Sequence, residues 1–275
     1  MLHMREERFS RICSHFPATF LSPLVAYHRI DPTLFHLFEE AVRYYNERSK
    51  EYDYINRTPN GILVPKREIE EEYNTVVCTF LNSLKSLHID ACVVRWDFPI
   101  VRCKTKDVTN EHMKRSYASE HPHSDCWIGW ESECILIMMP LLGDTENNWV
   151  QFFALPNSFN ESWTKRLPTF AEGGVMAQQC TPLPKHYEKG CLYLADMAVV
   201  HATRREEGAS WRISASTTIA LEEPISGSFG SNTQFTTEEM YKIGTGMKVA
   251  CLSNMGEIIS TTATNQPIDV RLVKM

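Results

Sequence analysis

Apolar residues recur along this chain with two different spacings. After Asp31 they fall three and four apart, at Leu34, Phe35, Phe38, Val42 and Tyr45, which is the stripe of one helical face. Asp31 provides a capping carboxylate, and Pro32 fits the first helical position, where its missing N–H costs nothing. A second helical stripe runs from about Lys66 to Leu87 through Ile69, Tyr73, Val76, Val77, Phe80 and Leu84, with acidic residues between Glu68 and Glu72 near its positive end. Pro59-Asn60-Gly61 marks a turn between them.

Past residue 90 the texture becomes short β-rich runs separated by turn residues: ACVVRWDF, HPHSDCWIG, ECILIMMPLL, WVQFFAL, GCLYLADMAVVH and WRISASTTIAL. Their density predicts a β-barrel or β-sandwich, with DTENN as a hairpin turn. Residues 157–185 carry Pro168, Gly173-Gly174, Pro182 and Pro184 with little periodicity, the character of a long loop over a binding site. In the tail, Thr236-x-x-Glu239 is a capping-box pattern, and KVACL and VRLVK read as two further strands. The expected organisation is an N-terminal helical extension (1–90) packed on a core (91–222, with the insertion 157–185), then a C-terminal extension (223–275) that packs on the same domain or forms a homodimer contact.

Composition narrows the function classes. The net charge of −6, with no basic run longer than two residues, disfavours tight nucleic-acid binding. Nine cysteines with no Cys-x-x-Cys argue against a disulfide framework or zinc ribbon and for a reducing, cytoplasmic setting. The N-terminal residues are charged where a signal peptide is apolar, and no apolar run approaches membrane-spanning length, so no membrane partner is expected.

The chemistry concentrates in His123-Ser124-Asp125, His201 and Arg212. On a strand, His123 and Asp125 point to the same side. A second histidine from a distant strand completes a facial set of two imidazoles and one carboxylate, leaving coordination positions open. The triplet alone is weak evidence, because His88-Ile89-Asp90 and His186-Tyr187-Glu188 resemble it. However, His88 falls at a helix–strand junction, and His186 is too near His201 to supply the other half of a site. Arg212 begins a strand whose one side carries Arg212, Ser214, Ser216 and Thr218. That is a polar face with one cation, suited to a carboxylate held by a guanidinium fork and a hydroxyl, so Arg212 and Ser214 form the expected clamp.

The order His-x-Asp, a long spacer, Gly190-x-Leu192-x-x-x-Asp196-x-x-x-x-His201, then Arg212-x-Ser214 resembles the Fe(II)/2-oxoglutarate-dependent dioxygenase superfamily. The nearest branch is that of the small phytanoyl-CoA and ectoine hydroxylase-like oxygenases, including natural-product enzymes. The likeness covers about residues 91–222. It implies a mainly β protein with flanking helices and a double-stranded β-helix, the cupin-like jelly-roll. It also implies Fe(II) on His123, Asp125 and His201, 2-oxoglutarate on Arg212, and Thr203 near the same carboxylate. The resemblance further implies O2 as the oxidant, with succinate and CO2 as the coproducts. Related halogenases lack the carboxylate, so Asp125 implies hydroxylation, desaturation or cyclisation.

Trp127, two residues past Asp125 on the assumed strand, is a candidate for the substrate pocket. Arg95 and Arg102 are candidates for an anionic substrate group, with a surface salt bridge as the alternative. Arg204, after the distal histidine, is a candidate at the mouth. The leading expectation is oxidation of a small polar metabolite, such as an amino acid or natural-product intermediate. A protein or peptide hydroxylase, a zinc-type metal-dependent hydrolase and a non-enzymatic jelly-roll binding protein stay open.

Overall fold

Three helices precede most of the β structure: α1 (Leu2–Cys13), α2 (Pro32–Ser49) and α3 (Glu70–Lys85). The computed structural model describes residues 2–51, 60–63, 69–97, 99–105 and 113–221, with the strand residues 235–236, 248–250 and 272–274. The Asp31 carboxylate accepts from the backbone N–H groups of Thr33 and Leu34, at 2.9 and 3.2 Å, as an N-cap does. The two helical stripes face each other. Phe38 stacks on Phe80 at 5.1 Å and Tyr45 lies 5.8 Å from Tyr73. The Tyr73 hydroxyl donates to the carbonyl of Pro99 at 2.6 Å, tying α3 to the β structure.

The strands, in chain order, are β1 (Thr19–Ser22), β2 (Val25–Arg29), β3 (Arg95–Trp96), β4 (Ile100–Lys104), β5 (Ile135–Gly143), β6 (Asn148–Ala154), β7 (Thr181–Pro182), β8 (Cys191–Asp196), β9 (His201–Arg205), β10 (Arg212–Ala220), β11 (Phe235–Thr236), β12 (Lys248–Ala250) and β13 (Leu272–Lys274). A large antiparallel sheet runs β1-β2-β8-β5-β10-β3-β11, with β4 also beside β10. A smaller sheet runs β7-β6-β9. The chain passes from β5 in the large sheet to β6 in the small one, from β8 to β9 likewise, and back to the large sheet at β10. This alternation between two antiparallel sheets is a double-stranded β-helix, as expected.

The central strands are covered on both faces. All but the last residue of β5 is buried, and so is all of β10. The run ILIMMPLL is therefore continuously apolar instead of alternating. Pro140, which has no N–H for the ladder, lies where the β5–β10 register shifts between Ile213 and Ser214.

Three expectations change. The segment before residue 90 is not purely helical, because β1 and β2 extend the large sheet through β2–β8 pairing. DTENN makes a turn: Asp144 Oδ1 accepts from the Asn147 N–H at 2.9 Å. It links strands of different sheets, so it closes no hairpin. HPHSDCWIG is not a strand throughout. Asp125–Ile128 is a 3₁₀ turn, opened by the Ser124 hydroxyl accepting from Cys126 N–H and closed at Gly129 with φ +103°. In the tail, KVACL and VRLVK supply β12 and β13, which pair antiparallel. The expected helix at Thr236 lies outside the described residues.

Candidate metal centre and anion pocket

His123 and His201 sit directly opposite each other in an antiparallel bridge that joins the proximal segment to β9. His123 N–H donates to the His201 carbonyl at 2.9 Å, and His201 N–H to the His123 carbonyl at 2.8 Å. The 3₁₀ turn then swings Asp125 between the two rings. Its Oδ1 lies 3.8 Å from His123 Nε2 and 3.9 Å from His201 Nε2. One ligand atom from each of the three residues falls within 4.8 Å of the others, the compact donor set a metal ion needs. The histidine Nδ1 atoms face carbonyls, His121 at 2.7 Å and Val199 at 3.3 Å. These contacts fix the tautomer with hydrogen on Nδ1 and leave both Nε2 lone pairs free for a ligand bond. Burial, followed by the neighbouring His201, holds the His123 pKa well below the ordinary histidine value.

The insertion covers this centre. Phe170, in the 3₁₀ turn Phe170–Gly173, stacks on His123 with ring centroids 4.0 Å apart. Its N–H donates to the Ser116 carbonyl at 2.8 Å. The sequence marks residues 157–185 as a covering loop but gives no sign of which residue meets the histidine.

A small pocket opens beside the histidines, lined by His123, His201, Arg102, Thr203, Arg212 and Ser214 among others. Arg212 is only 1% exposed, and its Nε and Nη1 have no hydrogen-bond partner. Its guanidinium carbon sits 4.9 Å from the centre of the Tyr187 ring. Burial lowers its pKa, and the nearby Arg205 and Arg102 add to that. A buried cation with unused donors is costly unless an anion completes it. Ser214 and Thr203, both on the cavity wall, add hydroxyls.

A charged network that the sequence does not signal closes one side. Lys104 of β4 donates to the Ser119 hydroxyl and approaches Glu120 Oε1 at 3.3 Å. Arg205 lies 3.4 Å from the same oxygen and Arg115 3.8 Å from Oε2. Burial pulls the Lys104 pKa down to about 7, against the pull of Glu120. For Glu120, burial acts upward but is outweighed by Lys104, its backbone hydrogen bond and Arg205, leaving the pKa below the ordinary glutamate value. These residues carry no recognisable spacing, since they converge from three separate segments.

Of the four substrate-pocket candidates, only Arg102 lines the cavity. Trp127 is buried elsewhere: the turn at Asp125 breaks the two-residue alternation, and its indole N–H donates to the Trp163 carbonyl at 2.7 Å. Arg95 pairs with Ala220, at the opposite end of β10 from Arg212, ~26 Å away along an extended strand. Arg204 alternates with Thr203 on β9, and its Nη1 donates to the Glu120 carbonyl at 3.4 Å, away from the cavity.

No protein-family model matches the chain, and no curated protein matches it. Solved structures do resemble it. The non-haem α-ketoglutarate-dependent epimerase SnoN from nogalamycin biosynthesis aligns over 78% of this chain and 81% of its own, at 12% identity and TM-score 0.47. EctD from S. alaskensis, solved with 2-oxoglutarate and 5-hydroxyectoine, aligns over 71% and 72%, at 11% identity and TM-score 0.45. HygX from Streptomyces hygroscopicus, with nickel and 2-oxoglutarate bound, aligns over 71% and 82%, at 10% identity and TM-score 0.42. At such distances, function has to be read from this chain's own residues.

Proposed function

We propose that this chain is a non-haem Fe(II)/2-oxoglutarate-dependent oxygenase that acts on a small polar metabolite in the cytoplasm. One observation carries the reading: a single cavity joins the two buried histidines of a His–Asp–His donor set to a buried guanidinium with two unused donors. The donor set fits a ferrous ion, being two neutral imidazoles and one carboxylate on one side. The guanidinium and its neighbouring hydroxyls fit the far carboxylate of an oxoacid. A zinc hydrolase would leave Arg212 without an anion, which favours the oxygenase.

His123 and His201 would hold the ion through Nε2 and Asp125 through its carboxylate. Iron, 2-oxoglutarate and O2 would together supply the oxidising chemistry, with succinate and CO2 as coproducts and the substrate hydroxylated, desaturated or cyclised. The chain's part is orientation and exclusion. The two Nδ1 contacts keep the rings aimed, and Arg212 with Ser214 and Thr203 orients the cosubstrate. Phe170 and the insertion restrict water on the His123 side. The insertion, lying over the centre through Phe170, favours a small molecule over a peptide. Among the described residues no helix is long and apolar enough to cross a membrane.

The test is anaerobic titration with Fe(II) and 2-oxoglutarate, followed by the metal-to-ligand charge-transfer absorption of the chelate. The band is expected in the wild type and absent in His123→Ala. Arg212→Ala should keep the band but need about tenfold or more 2-oxoglutarate, as loss of a charge-assisted hydrogen bond implies. A folded, iron-loaded wild type without the band would refute the reading.

A further inference from the structure

The cavity holds a second guanidinium besides that of Arg212. Arg102 lies on β4 directly opposite Ser214 of β10. It lines the same cavity as Arg212, yet enters from a neighbouring strand. Its Nε is buried with no hydrogen-bond partner. Among the described residues no carboxylate forms an ion pair with it, and Asp125 is its strongest favourable charge. Glu120, the other buried carboxylate nearby, is already shared by Lys104, Arg205 and Arg115.

Counting charge sharpens the point. A divalent ion, the Asp125 carboxylate, a doubly charged oxoacid and the Arg212 guanidinium sum to neutrality. Arg102, half-buried on the pocket wall, is then one positive charge in excess, and a partly desolvated guanidinium with an unused buried Nε is well placed to take an anion. The planar fork of arginine matches a carboxylate. Its strand position gives it a place in the pocket distinct from that of Arg212.

We infer that Arg102 recognises a carboxylate on the substrate itself, so that the substrate is a small carboxylic or amino acid with that group free. This deepens the oxygenase reading and rests on it. Arg102 is then a specificity residue that holds the substrate's anionic end while Arg212 holds the cosubstrate's.

The experiment uses acetate as the probe and acetamide as its neutral isostere. Full-length protein, loaded anaerobically with Fe(II) and saturating 2-oxoglutarate, is titrated with each while the chelate band and the melting temperature are followed. Wild type is compared with Arg102→Gln and with Arg102→Lys, which keeps the charge but loses the fork. Acetate should perturb the band and raise the melting temperature, and acetamide should do neither. Arg102→Gln should weaken acetate about tenfold or more with 2-oxoglutarate affinity unchanged, and Arg102→Lys should fall between. Equal responses to acetate and acetamide, or an acetate response unchanged in Arg102→Gln, would overturn the inference. So would loss of 2-oxoglutarate affinity in both variants, which would assign Arg102 to the cosubstrate. Absence of the band in the wild type would mean that the oxygenase reading has failed. Melting of the metal-free protein in acetate then reads Arg102 through the difference between variants, since Arg212 can also take acetate: a rise reduced in Arg102→Gln keeps a carboxylate site there, and a rise unchanged in Arg102→Gln, or no rise, removes it.

Discussion

Lys104 shows how much of this site is decided by single residues that no motif announces. Its ammonium is buried among Glu120, Arg102, Arg205 and Arg212, and burial brings its pKa down to about 7. The unfolded chain keeps a lysine protonated to much higher pH. Between about pH 7 and the ordinary lysine value the unfolded state therefore binds more protons than the native one. Stability attributable to this residue rises with pH across that window, by up to ~1.4 kcal/mol per pH unit. Below about pH 7 both states are protonated and the penalty for the buried charge is fully present. Urea unfolding at pH 7 and pH 9 should thus show wild type gaining on Lys104→Met as pH rises; a constant difference would show that Lys104 titrates normally. Phe170 makes a second test at this scale. Truncation of a buried aromatic typically costs 3–5 kcal/mol, and here it also strips one face of His123. Phe170→Ala should lower the melting temperature and speed exchange of the ion with a chelator.

At the level of elements, α1 joins two parts of the active region. Arg5 donates to Asp196 Oδ1 at 3.0 Å and to Glu161 of the insertion, while Arg8 reaches Asp196 Oδ2 at 2.8 Å. Asp196 Oδ1 also accepts from Ala198 N–H at 2.9 Å, in the turn that leads to His201. Arg5→Met would leave this buried carboxylate with one cation, at a cost of roughly 3 kcal/mol by analogy with broken buried pairs. It should also weaken metal affinity, checked by competition with a chelator. If the melting temperature falls while metal affinity holds, α1 is a stabilising strut without influence on the turn. This helix was hidden in the sequence because its buried face includes a charge, Arg5, beside Phe9, Ile12 and Cys13. By contrast α2 and α3 were legible, since each presents a wide apolar stripe to the other. The polar side of β10 was legible too, through its two-residue alternation. The turn at Asp125 was not, because Ser124 caps it through a local side-chain contact that alternation cannot register, and Trp127 was misassigned with it.

For the whole molecule, the candidate site draws on both sheets. His201 and Thr203 belong to the small sheet, Arg212 and Ser214 to the large one. The order of the motifs in the sequence conveys that they meet. The cations that converge around them, Arg102 and Lys104 from β4 and Arg205 from β9, become visible only when the strands are assembled. The N-terminal strands are part of the same assembly. β2 pairs along the side of β8 away from β5, from Val25 opposite Ala195 to Arg29 opposite Cys191. A chain beginning at residue 31 would uncover that edge, and unpaired apolar edges aggregate. Such a truncation should be recovered mainly in high-molecular-weight fractions on size-exclusion chromatography; a stable, soluble product would show that the sheet closes without it.

The bridge between His123 and His201 has a further consequence for slow motion. Each histidine's amide hydrogen is donated to the other's carbonyl, so the two cannot separate without opening that pair of bonds. An ion held by both rings would therefore brace the backbone as well as the side chains. Deuterium uptake at these two amides should slow when ion is added, while uptake in β1, at the far edge of the large sheet, should stay as it was. The protein would then report its metal occupancy through the exchange of two peptide hydrogens.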